Sequence, residues 1–151
     1  MDAADYSALF DTWLVLHLAR RTLDDALAAT RLSGDDFALY HLIALNEPLT
    51  PTEIVRWTGM RRSTVSSYLR RMTDRRHARV KPNPADGRSY SIELTRAGRS
   101  AYDEANAEFL VVLARVEDEF AVPASEVRLA LERLDHALRR VNELPPRPYS
   151  L

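Results

Sequence analysis

The sequence predicts an all-α fold carrying one small β-hairpin. Three observations support this. Apolar residues recur at helical spacing along both terminal thirds of the chain, as in Leu9, Phe10, Trp13, Leu14 and again in Val127, Leu131, Leu134, Leu138. The period drops to two just once, at Tyr90-Ser91-Ile92-Glu93-Leu94. Only four glycines are present, and three of them fall between Gly59 and Gly98, so turn chemistry is concentrated in the centre.

Taken in order, the first predicted helix runs from about Asp5 to Thr30, with His17 continuing the stripe of Tyr6, Leu9, Phe10, Trp13 and Leu14. Ser33 reads as the cap of a second helix, whose first-turn carboxylates, Asp35 and Asp36, suit the positive end of the helix dipole. That helix is apolar on two sides, through Phe37, Tyr40, Ala44 and through Leu39, Leu42, Ile43, which makes it a buried one. Thr50-Pro51-Thr52-Glu53 combines a capping threonine, a proline at the first helical position and the glutamate of a capping box. Thr58-Gly59 ends this short helix after about two turns. The next begins near Arg61 and buries Val65, Leu69 and Met72. Ala78-Arg79-Val80-Lys81 and Tyr90–Leu94 form the hairpin strands, separated by Pro82-Asn83-Pro84-Ala85-Asp86-Gly87, whose prolines exclude a helix. Thr95 caps a long helix through Ala101, Ala105, Phe109, Val112, Leu113 and Val116, which Val122-Pro123 breaks. A last helix reaches Val141, and the tail from Leu144 onward, rich in proline, is expected on the surface.

Bulk properties narrow the function. A chain of 151 residues suits one domain, or a small lobe with a helical extension. The absence of cysteine excludes a disulfide framework, a thiolate metal site and a thiol redox sensor. No apolar run approaches the roughly 18 residues of a membrane span, and the acidic start Met1-Asp2-Ala3-Ala4-Asp5 does not read as a signal peptide, so a cytoplasmic protein is expected. The net charge of −1 hides an asymmetry. From Pro51 to Ser100 there are 12 Lys+Arg against 4 Asp+Glu, a net of +8, whereas the remainder carries −9. A basic block in an acidic chain is the expected footprint of a phosphate-binding surface.

The short helix, the turn at Gly59 and the helix after it form a helix-turn-helix. Its second helix can enter a major groove and present small or basic residues to base edges. Arg62 can pair bidentately with guanine, and Ser63, Ser66 and Ser67 allow close approach. Arg70, Arg71, Arg75 and Arg76 suit phosphates, which position a protein without reading sequence. On the hairpin, Arg79, Lys81 and Arg88 supply a second basic contact, with Arg88 placed to enter a minor groove. Asp86 is expected to pair with an arginine and hold the hairpin in shape, or simply to serve the turn with Gly87. An ordinary surface helix would account for the arginines but not for so many serines in a helix interior.

The chain resembles the MarR family through a run of motifs in order. These are Leu32-Ser33, Leu49-Thr50-Pro51-Thr52-Glu53-Ile54, Gly59-Met60-Arg61-Arg62-Ser63-Thr64-Val65, Pro82 to Arg88, and Leu94-Thr95-Arg96-Ala97-Gly98-Arg99. The most specific part is the Asp-x-Arg hairpin followed by Leu-Thr-x-x-Gly. The resemblance implies a winged helix-turn-helix lobe over residues 32–94, a helical dimerisation region over 1–31 and 95–144, and a tail over 145–151. It implies a homodimer that binds double-stranded DNA at a pseudo-palindromic operator, usually as a repressor. Arg61 to Arg76, including Thr64, would form the recognition helix and Arg88 the wing contact. The apolar stripes of the terminal helices point independently to a partner. Three departures stand out. Arg61 replaces the usual Ser or Thr cap, leaving a weaker cap whose side chain can turn to a phosphate. Arg76-His77 replaces the usual Gly-Leu, removing the helix-ending glycine and thinning the core under the wing. The lack of cysteine excludes the oxidation sensing of some members.

Many members of the family respond to small aromatic or phenolic molecules. Trp13, His17, Tyr40 and His41 are the candidates for lining such an effector pocket, although aromatic residues on amphipathic helices more often pack as core. A zinc- or metal-responsive regulator is an alternative, opposed by the scatter of His17, His41, His77 and His136 without ligand spacing. A protein-contact winged helix is another, for which a net +8 is unnecessary. No catalytic triad, phosphate loop or paired carboxylates suggest an enzyme, and no cofactor is expected.

Overall fold

The computed structural model describes residues 7–82 and 90–147. Six helices and one hairpin follow in the order α1 (Ala8–Ala26), α2 (Gly34–Asn46), α3 (Pro51–Thr58), α4 (Arg62–Asp74), β1 (Ala78–Pro82), β2 (Tyr90–Leu94), α5 (Arg96–Asp118) and α6 (Ala124–Val141). The all-α fold with a small hairpin is therefore the observed one.

α2 is the central element. Phe37, Leu39, Tyr40, Leu42 and Ile43 are all buried, and the helix packs on α1, α5 and β2. Ser33 caps it by accepting from the Asp36 amide at 3.1 Å. Around it close Ile54 from α3, Val65, Leu69 and Met72 from α4, and Ile92 and Leu94 from β2. Full burial of such side chains contributes about 1.5–3 kcal/mol each, enough for a well-defined small core. The strands pair antiparallel, from Ala78 opposite Leu94 to Pro82 opposite Tyr90. Leu49 adds a short rung beyond β2, exchanging two backbone hydrogen bonds with Ile92 at 3.2 and 2.7 Å. Ser91 is buried as well, so the alternation of β2 is imperfect.

The terminal helices differ from expectation in instructive ways. α1 starts at its Ser7 cap and stops at Ala26, where Leu27 turns into the core instead of continuing the helix to Thr30. The expected stripe of Leu9, Phe10, Trp13 and Leu14 buries nothing in this chain's own core; Trp13 is 55% exposed and Leu18 66%. Leu110 and Val111 on α5 and Leu129, Leu131 and Val141 on α6 are likewise exposed. α5 ends at Asp118, earlier than the proline that breaks the pattern, and Pro123 occupies the cap position of α6. The start of the tail is tied down: Arg147 donates to Asp135 at 2.8 Å, and the Pro145 carbonyl accepts from Arg139 at 2.9 Å. Among the described residues no helix is long and apolar enough to cross a membrane.

Candidate nucleic-acid interface

α3 and α4 meet at a turn that the local sequence explains. The Thr50 hydroxyl accepts from the Glu53 amide at 3.2 Å, and the Glu53 carboxylate accepts from the Thr50 amide at 2.7 Å, so two otherwise unpaired donors are satisfied. Gly59 ends α3 at φ +73°, a conformation that costs a side-chain-bearing residue energy, and its N–H donates to the Val55 carbonyl at 2.9 Å. Arg61 caps α4 without a side-chain hydrogen bond, as its identity predicts. Val65, Leu69 and Met72 turn inward, while Arg61, Arg62, Ser63, Thr64, Ser66, Ser67 and Arg70 lie exposed on the opposite side. The Ser67 hydroxyl donates to the Ser63 carbonyl at 3.0 Å, keeping that face compact.

The arginines of this region divide into two groups. Arg62 and Arg70 belong to the exposed face, but Arg71 and Arg75 turn back onto buried Asp36, at 2.9 and 3.0 Å. Both guanidinium groups are thus held on α2 while remaining partly exposed, so the pairing fixes Arg71 and Arg75, expected at phosphates, without removing them from solvent. Burial alone would raise the Asp36 pKa; the hydrogen bonds and charges of Arg71 and Arg75 outweigh it and hold the carboxyl below its ordinary range. The network extends further. Arg71 also lies over the Tyr68 ring at 4.3 Å, Tyr68 donates to Asp35 at 3.0 Å, and Arg20 of α1 reaches the same Asp35 carboxylate at 2.6 Å. A polar chain thus runs from α1 through the start of α2 to α4. From sequence, Asp35 and Asp36 read as first-turn charges only; the surplus of arginines at the end of α4 is the one signal that they have partners.

The hairpin is fixed at its base. Arg79 and Lys81, both expected at DNA, straddle Glu93 on the opposite strand, at 2.8 and 2.7 Å. Both remain half-exposed, so the pairing aligns them without removing them from solvent. Asp86 and Arg88 lie outside the described residues. The Leu-Thr-x-x-Gly motif has a clear physical basis. Leu94 is core, Thr95 caps α5 by accepting from the Gly98 amide at 3.1 Å, and its hydroxyl donates to the Arg76 carbonyl at 2.7 Å. A Cβ at Gly98 would stand 1.9 Å from the His77 carbonyl oxygen, so only glycine lets α5 seat there. Arg76 takes φ +58° without the conformational freedom of a glycine, and His77 fills the space beneath the hairpin by bonding the buried Tyr40 hydroxyl at 3.0 Å. Glu47 accepts from the Leu94 amide at 2.7 Å and pairs with Arg99, joining the hairpin to the end of α2.

The four effector-pocket candidates fall in separate places. Trp13 stacks on Phe10 and meets His17 edge-on along exposed α1. Tyr40 is fully buried and committed to His77. His41 borders a cavity, and its ring bonds the Tyr102 hydroxyl at 3.1 Å. The cavity measures about 670 Å³, and Leu42, Trp57, Met60, Arg128 and Arg147 also line it. Arg128 and Arg147 are its charged lining residues, and the Arg147 guanidinium also donates to Asp135 at 2.8 Å. Among the described residues no cluster of three metal-ligating side chains occurs.

Known proteins share this arrangement. Residues 32–89 match the sequence model of the MarR family. Among solved structures, the chain is similar to the transcriptional regulator MosR from M. tuberculosis in complex with DNA, at 26% identity and a TM-score of 0.79, over 90% of this chain and 98% of that one. It is similar in fold to a point mutant of MarR from E. coli complexed with operator DNA, at 19% identity and a TM-score of 0.68, over 86% and 89%. A third similar fold is the transcriptional repressor CouR bound to a 23-mer DNA duplex, at 19% identity and a TM-score of 0.71, over 87% and 92%. No curated protein sequence gives a significant match.

Proposed function

We propose that this chain, a member of the MarR family of DNA-binding transcription regulators, works as a homodimeric repressor that covers a pseudo-palindromic operator and is released by a small aromatic acid. As a member of that family it binds DNA and is not an enzyme. The observation that carries the reading is the exposed face of α4, where Arg61, Arg62 and Arg70 alternate with Ser63, Thr64, Ser66 and Ser67 above an apolar underside. Small hydroxyl residues permit close approach to base edges, and Arg62 supplies the bidentate donor that guanine requires.

Residues 1–31 and 95–144 are assigned to dimerisation. The apolar side chains left exposed on α1, α5 and α6 are too many for a solvated surface and support a second copy as their cover. A two-fold dimer would set two recognition helices about one DNA turn apart, near 34–36 Å. Arg88 is assigned to the minor groove, and Arg88→Ala should weaken binding with little change in major-groove preference.

Selection of binding sites from a random duplex library, near physiological salt, tests the reading. An inverted repeat with half-site centres about 10 base pairs apart supports it. Absence of any enriched sequence would refute it. The effector reading rests on the cavity beside His41, since a carboxylate could meet Arg128 and Arg147 while its ring packs on Trp57 and Met60. Calorimetric titration with phenolic acids should show heat and a matching loss of operator affinity; silence in both would remove the effector from the scheme.

A further inference from the structure

Arg139 is the most deeply buried cation among the described residues, at 5% exposure, and it lies on α6, far in sequence from the helix-turn-helix. All three of its guanidinium nitrogens donate. Nε donates to Asp135 at 2.8 Å, Nη1 donates to the carbonyls of Arg56 at 3.0 Å and Pro145 at 2.9 Å, and Nη2 donates to the Trp57 carbonyl. Arg56 and Trp57 belong to the last turn of α3, where backbone carbonyls have no partner within the helix. A cation placed there satisfies those acceptors and complements the negative end of the helix dipole. Here the cap comes from a different element, so it also joins two parts of the molecule. Asp135 is braced from its other side by Arg147 at 2.8 Å, and both guanidinium groups hold its carboxyl below the ordinary range against the opposing effect of burial. Leu144, just after α6, lies so near the turn that a Cβ at Gly59 would stand 3.4 Å from its Cδ1. The end of α6 therefore grips the first helix and the turn of the helix-turn-helix together.

We infer that Arg139 is a positioning residue that sets the distance and angle between the two recognition helices of the dimer, and hence the half-site spacing that the protein accepts. The inference rests on the homodimer reading above. With α6 in the dimer region, the Arg139 clamp is the tie between that region and the helix-turn-helix itself, beside the packing of α2 on α1 and α5. A rigid clamp admits one spacing, because each added base pair displaces the second half-site by about 3.4 Å and rotates it by about 35°. A loosened clamp lets each lobe follow its own half-site.

The test uses the full chain and three duplex sets: the selected operator, the same half-sites with one or two base pairs inserted or deleted between them, and a single half-site. Wild type should bind the altered spacings far more weakly than the operator. Arg139→Gln should keep single half-site affinity and the dimer by sedimentation, yet shrink the spacing penalty by about tenfold or more, the scale on which linking two sites acts. Asp135→Asn keeps the buried cation but removes one side of its brace, so it should shift the penalty in the same direction by less, and it carries the test should Arg139→Gln fail to fold. Unchanged spacing selectivity in a folded, dimeric variant overturns the inference alone. A wild type without any spacing preference, or monomeric on DNA, overturns the homodimer reading and the inference together.

Discussion

The reading lobe and the helices that flank it are built to different standards of completeness. Within the lobe, apolar positions of α2, α3, α4 and β2 close on one another, and buried polar groups find partners: Asp36 with two arginines, Tyr40 with His77, Glu47 with a backbone amide and Arg99. In the flanks, α1 leaves Leu9, Trp13, Leu16 and Leu18 in solvent, and α6 holds the lobe through one buried arginine. The difference teaches that the lobe closes its apolar surface within one chain, whereas the flanks leave theirs exposed, which is what the proposed dimer would cover. Hydrophobic stripes mark both, and only knowing which residue covers which separates a core from an interface.

The largest effect should come from breaking the flanks. Trp13→Glu places a charge amid the exposed apolar face of α1 without touching the lobe. The dimer should dissociate in sedimentation, and operator affinity should fall by roughly 10²–10⁴, the range over which joining two binding modules acts. Far-UV circular dichroism should show the helices retained. A dimer that survives this change would place the interface elsewhere.

Next, Asp36→Ala attacks the lobe from inside. It strands Arg71 and Arg75 beside an emptied site, and should lower unfolding stability by about 1–3 kcal/mol in urea titration. Because both arginines remain partly exposed and can turn to water, the upper part of the buried-pair range is not expected. Operator affinity should fall with it, since α4 loses two of its polar ties to α2 and keeps the Tyr68–Asp35 bond. By contrast, Arg62→Ala should leave stability unchanged and cost about 1–3 kcal/mol in operator binding, with preference relaxed at one base pair per half-site. Repeating the site selection with this variant measures that relaxation. Equal losses at every position would assign Arg62 to a phosphate instead.

Much of this architecture is legible in sequence because it is local. The Thr50–Glu53 capping box, the Gly59 turn, the Ser33 and Thr95 caps and the α4 stripe of Val65, Leu69 and Met72 each involve residues within a few positions of one another. The exposed reading face follows from the same periodicity. What sequence does not disclose is pairing over distance. Nothing local to Arg71 announces its partner Asp36, thirty-five positions earlier. Arg79 and Lys81 read as free wing cations until register puts both against Glu93. Arg139 stands four positions from its partner Asp135, and nothing in its neighbourhood hints at the α3 carbonyls more than eighty positions away. Trp13 is the reverse case: its period is correctly helical, but the pattern does not say that the side chain lies outside this chain's own core.

The smallest expected effect concerns pH and again separates the two regions. Burial lowers the pKa of His41 and of His77, the latter further depressed by the charges of Arg75 and Arg31. A histidine whose folded pKa lies below its ordinary value of about 6.5 favours the neutral folded state. Its contribution is fully present above that value and is lost as pH falls through the depressed folded pKa, because the unfolded chain takes up the proton first. Stability in urea should therefore be level from about pH 8 to 7 and should decline as the buffer is taken below about 6.5. Asp36 and Asp135, held below their ordinary range, stay ionised throughout that window and begin to destabilise only in stronger acid. His77→Gln should flatten the decline while lowering the plateau, since a neutral amide can still bond Tyr40 but packs less well beneath the hairpin. The dimer equilibrium, governed by the apolar faces of the flanks, should hardly move over the same interval. A decline that tracked dimer dissociation rather than lobe unfolding would remove His41 and His77 as its cause.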